Sequence, residues 1–501
     1  MKTKQIIGFL VIPVAMVWLM LFRDIGRNQP QVASTLAVAL LMAVWWVSEV
    51  VPLAVTALLP VVLFPLFGVM NGAEVSATYF NEIIFLFMGG FMVALAMERW
   101  DLHRRIALNI LLFTGVTPGR ILLGFMVASF FLSMWISNSA TAMMMLPIAL
   151  SVIHQFDGLM NKEAPHKFGI AILLGIAYSA SIGGMATLVG TPANLSFSRI
   201  YQIYFPDAPE ISFSVWLLFA LPVSLIIFAI AFTYLYFHFK PKKNAWVAVG
   251  RDSFSQQLHG MGPATQEQKM VMGVFVMLAL LWMLRVDLKF GAFIVPGWDR
   301  IFNHSSYLND GTVAIAMAIV LFMLPSKNRK GQRLLDWPTA SKVPWQILLL
   351  FGGGFALATG MKASGLSMWI GHQLSDVARL HPLALILMIA FSISFLTELT
   401  SNTATTEMIL PILAGISIAA GIHPLLMMIP ATMAASMAFM LPVATPPNAI
   451  VFGSERIGIL TMARTGFVLN LMAVLVVSLM IYFWGDAFLG GYLEGQPLLP
   501  R

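Results

Sequence analysis

Four short polar strings interrupt the apolar stretches of this chain: Ser137-Asn138-Ser139, Ser401-Asn402-Thr403, Thr191-Pro192-Ala193-Asn194 and Thr445-Pro446-Pro447-Asn448. Hydroxyl and amide oxygens suit a hard monovalent cation stripped of water, whereas their donors suit an anion. The free N–H groups of a helix that starts just after such a string add to the anion's side. A limb beginning at Ala140 or Ala404 would aim its positive dipole end at a carboxylate. In the Thr-Pro-x-Asn strings the proline has no N–H and crowds the preceding turn. A helix passing through is therefore expected to break there and free carbonyls for an ion.

A polar group left unpaired in an apolar segment costs several kcal/mol, so these strings need partners. Interhelical hydrogen bonding would explain any one of them. The duplication favours a binding role. Phe87-Met88-Gly89-Gly90-Phe91 returns as Phe351-Gly352-Gly353-Gly354-Phe355, 264 positions on. Ser137–Thr141 returns as Ser401–Thr405, and Pro147 as Pro411, at the same offset of 264. The Thr-Pro-x-Asn strings follow in the same order, 254 positions apart. Gly89-Gly90 and Gly353-Gly354 are read as close-packing positions, the usual role of small residues between membrane helices.

The elements that carry these strings are membrane spans. Of 501 residues, 59% are hydrophobic and 10% charged, where a soluble domain carries roughly 25% charged residues. Apolar runs such as 6–22, 216–237 and 313–324 alternate with short polar loops, and a spanning helix needs about 20 such residues. Lys2 and Lys4 precede the first run, but no small-x-small cleavage site follows, so it is expected to be a span and not a leader. The formal charge of +7 lies in short loops without interleaved aromatics, which argues against nucleic acid. There is no cysteine, no close histidine pair and no phosphate-binding GxxxxGK[ST] loop. Thiolate metal sites, metal-dependent catalysis and a built-in ATP motor are accordingly not expected, and the chain is not read as an enzyme.

Placing the loop lysines and arginines on the cytoplasmic side yields about eleven transmembrane helices plus two re-entrant hairpins in an all-α membrane protein with a cytoplasmic N-terminus. The spans fall near 6–22, 34–50, 52–69, 80–98, 168–205 (broken), 212–238, 269–285, 311–325, 345–361, 423–452 (broken) and 463–484, with hairpins near 120–155 and 383–420. The corresponding units are an N-terminal span (1–33), a first repeat (34–238), a cytoplasmic loop (239–268), a second repeat (269–484) and a tail (485–501). Five spans separate the repeats, so one is upside down relative to the other, the plan of secondary transporters whose site lies at the midplane. Intramembrane carboxylates are candidates for function by default. Glu49 and Glu98 are expected at membrane interfaces, and Glu398 and Glu407 at the feet of a hairpin in a wet vestibule.

The expected pocket holds no lysine or arginine, so a bound dianion must be balanced by helix dipoles and by co-bound cations, and sodium coupling follows. The paired Ser-Asn-Thr-type strings, with the two Thr-Pro-x-Asn strings, resemble the divalent anion/sodium symporter family from about residue 34 to 484. The resemblance implies one sodium site around Ser133, Ser137, Asn138 and Gly190 and a second around Thr397, Thr400, Asn402 and Ala444. It implies substrate contacts from Asn138, Ser139, Thr191, Asn402, Thr403, Thr445 and Pro446. It further implies sodium-coupled symport of C4-dicarboxylates in a plasma or inner membrane. The implied assembly is a lipid-embedded homodimer whose transport domain slides past a scaffold, with 99–115 and 362–382 as interfacial arms. Citrate, sulfate and sodium-independent exchange are the alternatives.

Two departures stand out: Ser139 where the family usually has Thr, and Ala193 where a second Pro is common. Restoring the methyl with Ser139→Thr keeps the donor and adds one carbon, worth up to about 0.8 kcal/mol if it packs and costing about 1–3 kcal/mol if it clashes. We expect C4-dicarboxylate affinity to stay within about tenfold, the equivalent of 1.4 kcal/mol, and any tricarboxylate to suffer more. Ser139→Ala should weaken every substrate. Apparent affinities for succinate and citrate check this, and equal, negligible effects of both substitutions would place Ser139 away from the ligand.

Overall fold

The computed structural model describes residues 30–115, 117–159, 165–239, 251–290, 293–485 and 488–489. The span expected at 6–22 lies outside the described residues, as does most of the tail. Helix α1 (Pro30–Ser48) leads to α2 (Leu53–Thr56) and α3 (Leu59–Leu66). The single span expected at 52–69 is thus two short helices. Pro60, at the start of α3, fits a first helical turn but cannot donate back to continue α2.

Helix α4 (Gly72–Ala77) is closed by a capping box between Asn71 and Glu74, and α5 (Glu82–Arg99) by Asn81, whose side chain accepts from the Ile83 and Ile84 amides. Then follow α6 (Leu102–Thr114), α7 (Pro118–Ser133), α8 (Asn138–Leu159), α9 (Pro165–Met185), α10 (Pro192–Tyr204) and α11 (Phe213–His238). The loop expected at 239–268 contains α12 (Arg251–Gly260), and α13 (Gln266–Met283) already begins within it. One small antiparallel ribbon, β1 (Leu288–Phe290) with β2 (Phe293–Val295), pairs Lys289 with Ile294. The second half continues through α14 (Asp310–Met323), α15 (Trp337–Ala340), α16 (Trp345–Ala363), α17 (Leu366–Gln373), α18 (Pro382–Leu396), α19 (Asn402–Ala420), α20 (Leu425–Ala435), α21 (Pro446–Phe452) and α22 (Ile459–Met480).

Among the described residues seven helices are long and apolar enough to cross a bilayer. Helices α7 and α18, of 16 and 15 residues, rise only about 24 and 22 Å at 1.5 Å per residue, short of the roughly 30 Å hydrocarbon layer. Each ends at a polar tip, beyond which α8 or α19 begins. Small residues let the helices close up. A Cβ at Gly89 would come 2.6 Å from the Ala314 carbonyl carbon, so α5 and α14 meet backbone to backbone. Gly353 packs in the same way on Ala57.

One charged cluster ties the halves together. Arg285, 2% exposed, pairs through Nε with Asp310 Oδ1 at 2.5 Å and through Nη2 with Glu210 at 2.9 Å. Asp310 Oδ2 accepts from the Phe213 amide at 2.8 Å. The ends of α13 and α14 and the entry to α11 are thereby pinned to one guanidinium. Asp310→Ala leaves a buried, partly uncompensated arginine and an orphaned amide, and should cost about 3–5 kcal/mol. Breaking the exposed Arg300–Asp287 pair with Arg300→Ala should change stability by less than about 1 kcal/mol. Thermal melts of the solubilised protein check both.

Candidate functional site

The two hairpin tips and the two helix breaks meet. Ser137, Asn138 and Ser139 face Ser401, Asn402 and Thr403 across a cavity of about 370 Å³, whose walls include Gly190, Thr191, Ala444, Thr445 and Pro446. All seven residues expected to touch substrate line this cavity. Of the eight expected around the ions, Ser137, Asn138, Gly190, Thr400, Asn402 and Ala444 line it. Ser133 and Thr397 stand one layer behind. Trp46, Phe87 and Phe91 also line it.

Helices α8 and α19 begin at Asn138 and Asn402, two residues before the expected starts at Ala140 and Ala404. The Asn, and the Ser or Thr after it, therefore sit in the first turn, where N–H groups have no partner within the helix. Pro192 and Pro446 are likewise the first residues of α10 and α21 and do not interrupt a continuous helix. A missing N–H costs nothing there.

Behind each tip a hydroxyl anchors the asparagine. Ser133 Oγ bonds Asn138 Oδ1 and donates to the Ala180 carbonyl at 2.7 Å. Thr397 Oγ1 donates to Asn402 Oδ1 at 2.7 Å and to the Ala435 carbonyl at 3.0 Å. Around Asn138 the amide group meets Ser133 Oγ, the Ala180 carbonyl and the Gly190 carbonyl, the last two 3.2 Å away. With its nitrogen turned there Asn138 donates to all three. With its oxygen turned there, four oxygens converge on one point. Gly184 permits this approach, since a Cβ would lie 2.6 Å from Asn138 Oδ1.

The asparagines of the Thr-Pro-x-Asn strings do a different job from the one expected of the breaks. Asn194 Nδ2 donates to the carbonyls of Gly184, Met185 and Thr187 at 3.2, 3.2 and 2.7 Å. Asn448 Nδ2 donates to those of Ala438 and Leu441 at 3.0 and 3.1 Å. In both halves the acceptors lie ten and seven residues upstream. Several carbonyls freed by the breaks are thus taken by side-chain amides and are not open to an ion.

The chain matches, over residues 3–490, the family described as the sodium:sulfate symporter transmembrane region. It belongs to that family. A sodium-dependent dicarboxylate transporter of Staphylococcus saprophyticus is 42% identical over 492 residues, covering 97% of this chain and 92% of the relative. A protein of the same name from Staphylococcus aureus is 42% identical over 502 residues, with coverages of 99% and 94%. Two solved transporters share the fold. The Alcanivorax borkumensis YdaH transporter has a TM-score of 0.55 at 14% identity, with 87% of this chain and 89% of that one covered. Neisseria gonorrhoeae MtrF has a TM-score of 0.55 at 12% identity, with 94% and 97% covered.

In this family member Glu398 and Glu407 depart from expectation. Glu49 lines the central cavity, held at a φ of +48°, a strained value for a residue with a side chain. Its place just before Pro52 was a visible sign of a chain reversal, but nothing in the sequence aimed it at the tips. Glu98 is exposed, and Glu82 pairs with Arg199 at 2.5 Å. Glu398 and Glu407 are not in a wet vestibule, being 3% and 0% exposed. Glu398 caps the second break, accepting from the Met440 and Leu441 amides at 2.9 and 3.0 Å and from Asn470 Nδ2 at 2.8 Å. Its charge is met by donors from three residues.

The side-chain staples give a direct test. Asn448→Ala should cost about 1–3 kcal/mol by orphaning buried carbonyls. Asn448→Asp should cost more, because it sets an acceptor against acceptors. Melting of the purified variants checks the order.

Proposed function

We propose that this chain is a sodium-coupled symporter of C4-dicarboxylate dianions such as succinate, fumarate and malate, resident in the cell membrane with its N-terminus in the cytoplasm. One observation carries the reading: polar tips and breaks from both repeats converge on one cavity whose lining has no lysine or arginine. A dianion there draws on the first-turn N–H groups of α8, α10 and α19 and on the hydroxyls of Ser139, Thr191, Thr403 and Thr445. Those dipoles and hydroxyls leave net negative charge, which co-bound cations offset.

Oxygen ligands for the cations are at hand. One sodium ion would sit among Ser133, Ser137, Asn138 and Gly190, where the Asn138 oxygen turned inward joins Ser133 Oγ and the Ala180 and Gly190 carbonyls. The second would sit among Thr397, Thr400, Asn402 and Ala444. All-oxygen sets favour a hard ion over a transition metal. Each asparagine touches both ligands, the ion through its oxygen and the anion through its nitrogen and backbone amide. Binding of either then orders the other's ligands, which is the coupling a symporter needs. The staphylococcal relatives' names support the dicarboxylate; the family's description keeps sulfate as the competing anion.

The same reading divides the chain into repeats at 34–238 and 269–484, with the hairpins and broken helices as a transport domain moving against a scaffold. Arms at 99–115 and 362–382 would join two copies. Phe113, 92% exposed on α6, supplies an apolar contact for such a dimer. Uptake of labelled succinate, citrate and sulfate into proteoliposomes, with and without an inward sodium gradient, tests the function. Sodium-driven succinate uptake is expected, and sodium-independent exchange would overturn it. Asn138→Ala and Asn402→Ala should abolish uptake while the protein stays folded in the membrane, since an interhelical hydrogen bond there is worth only about 0.6 kcal/mol.

A further inference from the structure

Glu407 takes no part in the site as described, yet it is fully buried and sits directly beneath it. It lies five residues into α19 from Asn402, about 7.5 Å along the axis. Its Oε1 accepts from Ser196 Oγ at 3.1 Å. Ser196 in turn lies five residues into α10 from Thr191. One carboxyl group therefore joins the two half-helices, one from each repeat, whose N-terminal turns line the anion cavity. The third side is closed by Gly354 of α16, where a Cβ would collide with the carboxyl group itself.

Among the described residues the group has no counter-charge. Oε2 has no hydrogen-bond partner there, and Oε1 has a single neutral donor. Glu398 shows the contrast: three donors meet that buried carboxylate. The ionisable residues on the elements packed around α19 are occupied or distant. Tyr79, ahead of α5, gives its hydroxyl to the Ala57 carbonyl at 2.5 Å. On α10, Arg199 pairs with Glu82. On α16, Lys362 bonds the Ile203 carbonyl. Helix α17, which carries His372, meets α19 at Gly415, and the adjoining turn at 375–379 holds Asp376. Helices α1 and α20 carry no ionisable residue. A charged carboxylate with one neutral donor in such a place is strongly disfavoured, whereas a neutral acid is not. A negative charge there would also repel a dianion at the tips.

We propose that Glu407 is a proton-binding site, and that the proton must be in place for the two half-helices to hold the anion. Glu407 is then a positioning residue: its neutral form bridges α10 and α19, and its ionisation disables the cavity. The inference rests on the symport reading above. It predicts a loss of anion affinity on the alkaline side, where succinate itself no longer titrates.

The full-length protein in proteoliposomes, at saturating sodium and equal pH on both sides, provides the test. Above its inflection, the wild type's apparent succinate affinity should fall about tenfold per pH unit, as for one essential proton. Glu407→Gln, a permanently neutral isostere, should show one affinity across the range. Ser196→Ala removes the donor that favours the carboxylate and should move the wild-type inflection to higher pH, an arm that does not depend on the Gln variant folding. Tyr79→Phe should leave the alkaline loss in place. A wild type without alkaline loss, a Gln variant that keeps it, or a Tyr79→Phe variant that lacks it would overturn the proposal. Infrared difference spectra separate this failure from failure of the symport reading. At neutral pH the protonated-carboxyl band should be present in wild type and missing in Glu407→Gln, whatever the protein transports. Identical spectra would overturn the proposal.

Discussion

Backbone polarity inside an apolar solvent is the constraint on which the rest of this structure depends. A helix may stop within a membrane only if the groups it leaves behind find other partners. Here four helices stop, and each stop is satisfied in its own way. Asn194 and Asn448 cover carbonyls ahead of the breaks, Glu398 covers amides after α20, and Ser133 and Thr397 hold the hairpin tips to neighbouring carbonyls. What is left over, the first-turn N–H groups and a few oxygens, points into one cavity. The binding chemistry is the remainder of a backbone account that is otherwise closed.

Pseudo-symmetry makes that remainder bipartite. The staples recur with equal spacing in the two halves, and so do the hydroxyl anchors five residues before each tip asparagine. Equivalent groups from the two halves line one cavity. The halves are not identical. Glu398 and Glu407 have no acidic counterparts 264 positions earlier, so this pair of buried carboxyl groups belongs to the second half alone. One of them is saturated with donors and holds a break; the other is starved of donors and lies in the seam between half-helices.

Close backbone approach is the second theme. Gly89 on Ala314, Gly353 on Ala57 and Gly354 on Glu407 bring helix axes near enough that a methyl group would not fit. Between membrane helices, where lipid competes equally for apolar side chains, such contacts supply dispersion without hydrophobic drive.

The sequence by itself determined the membrane class, the paired strings, their repeated order and the residues that line the cavity, because apolar run length, charge placement and internal repetition are one-dimensional signals. The split of 52–69 into α2 and α3 at Pro60, the helix within 239–268 and the start of α8 and α19 at the asparagines are local features that run length does not register. The environments of the carboxylates were decided only by tertiary structure. Glu398 and Glu407 sit on either side of the same string and look alike in sequence. Which one meets three donors and which meets a single hydroxyl depends on where α10, α16 and the 439–441 segment pack, and a carboxyl group's state follows from its neighbours in space, not from those along the chain.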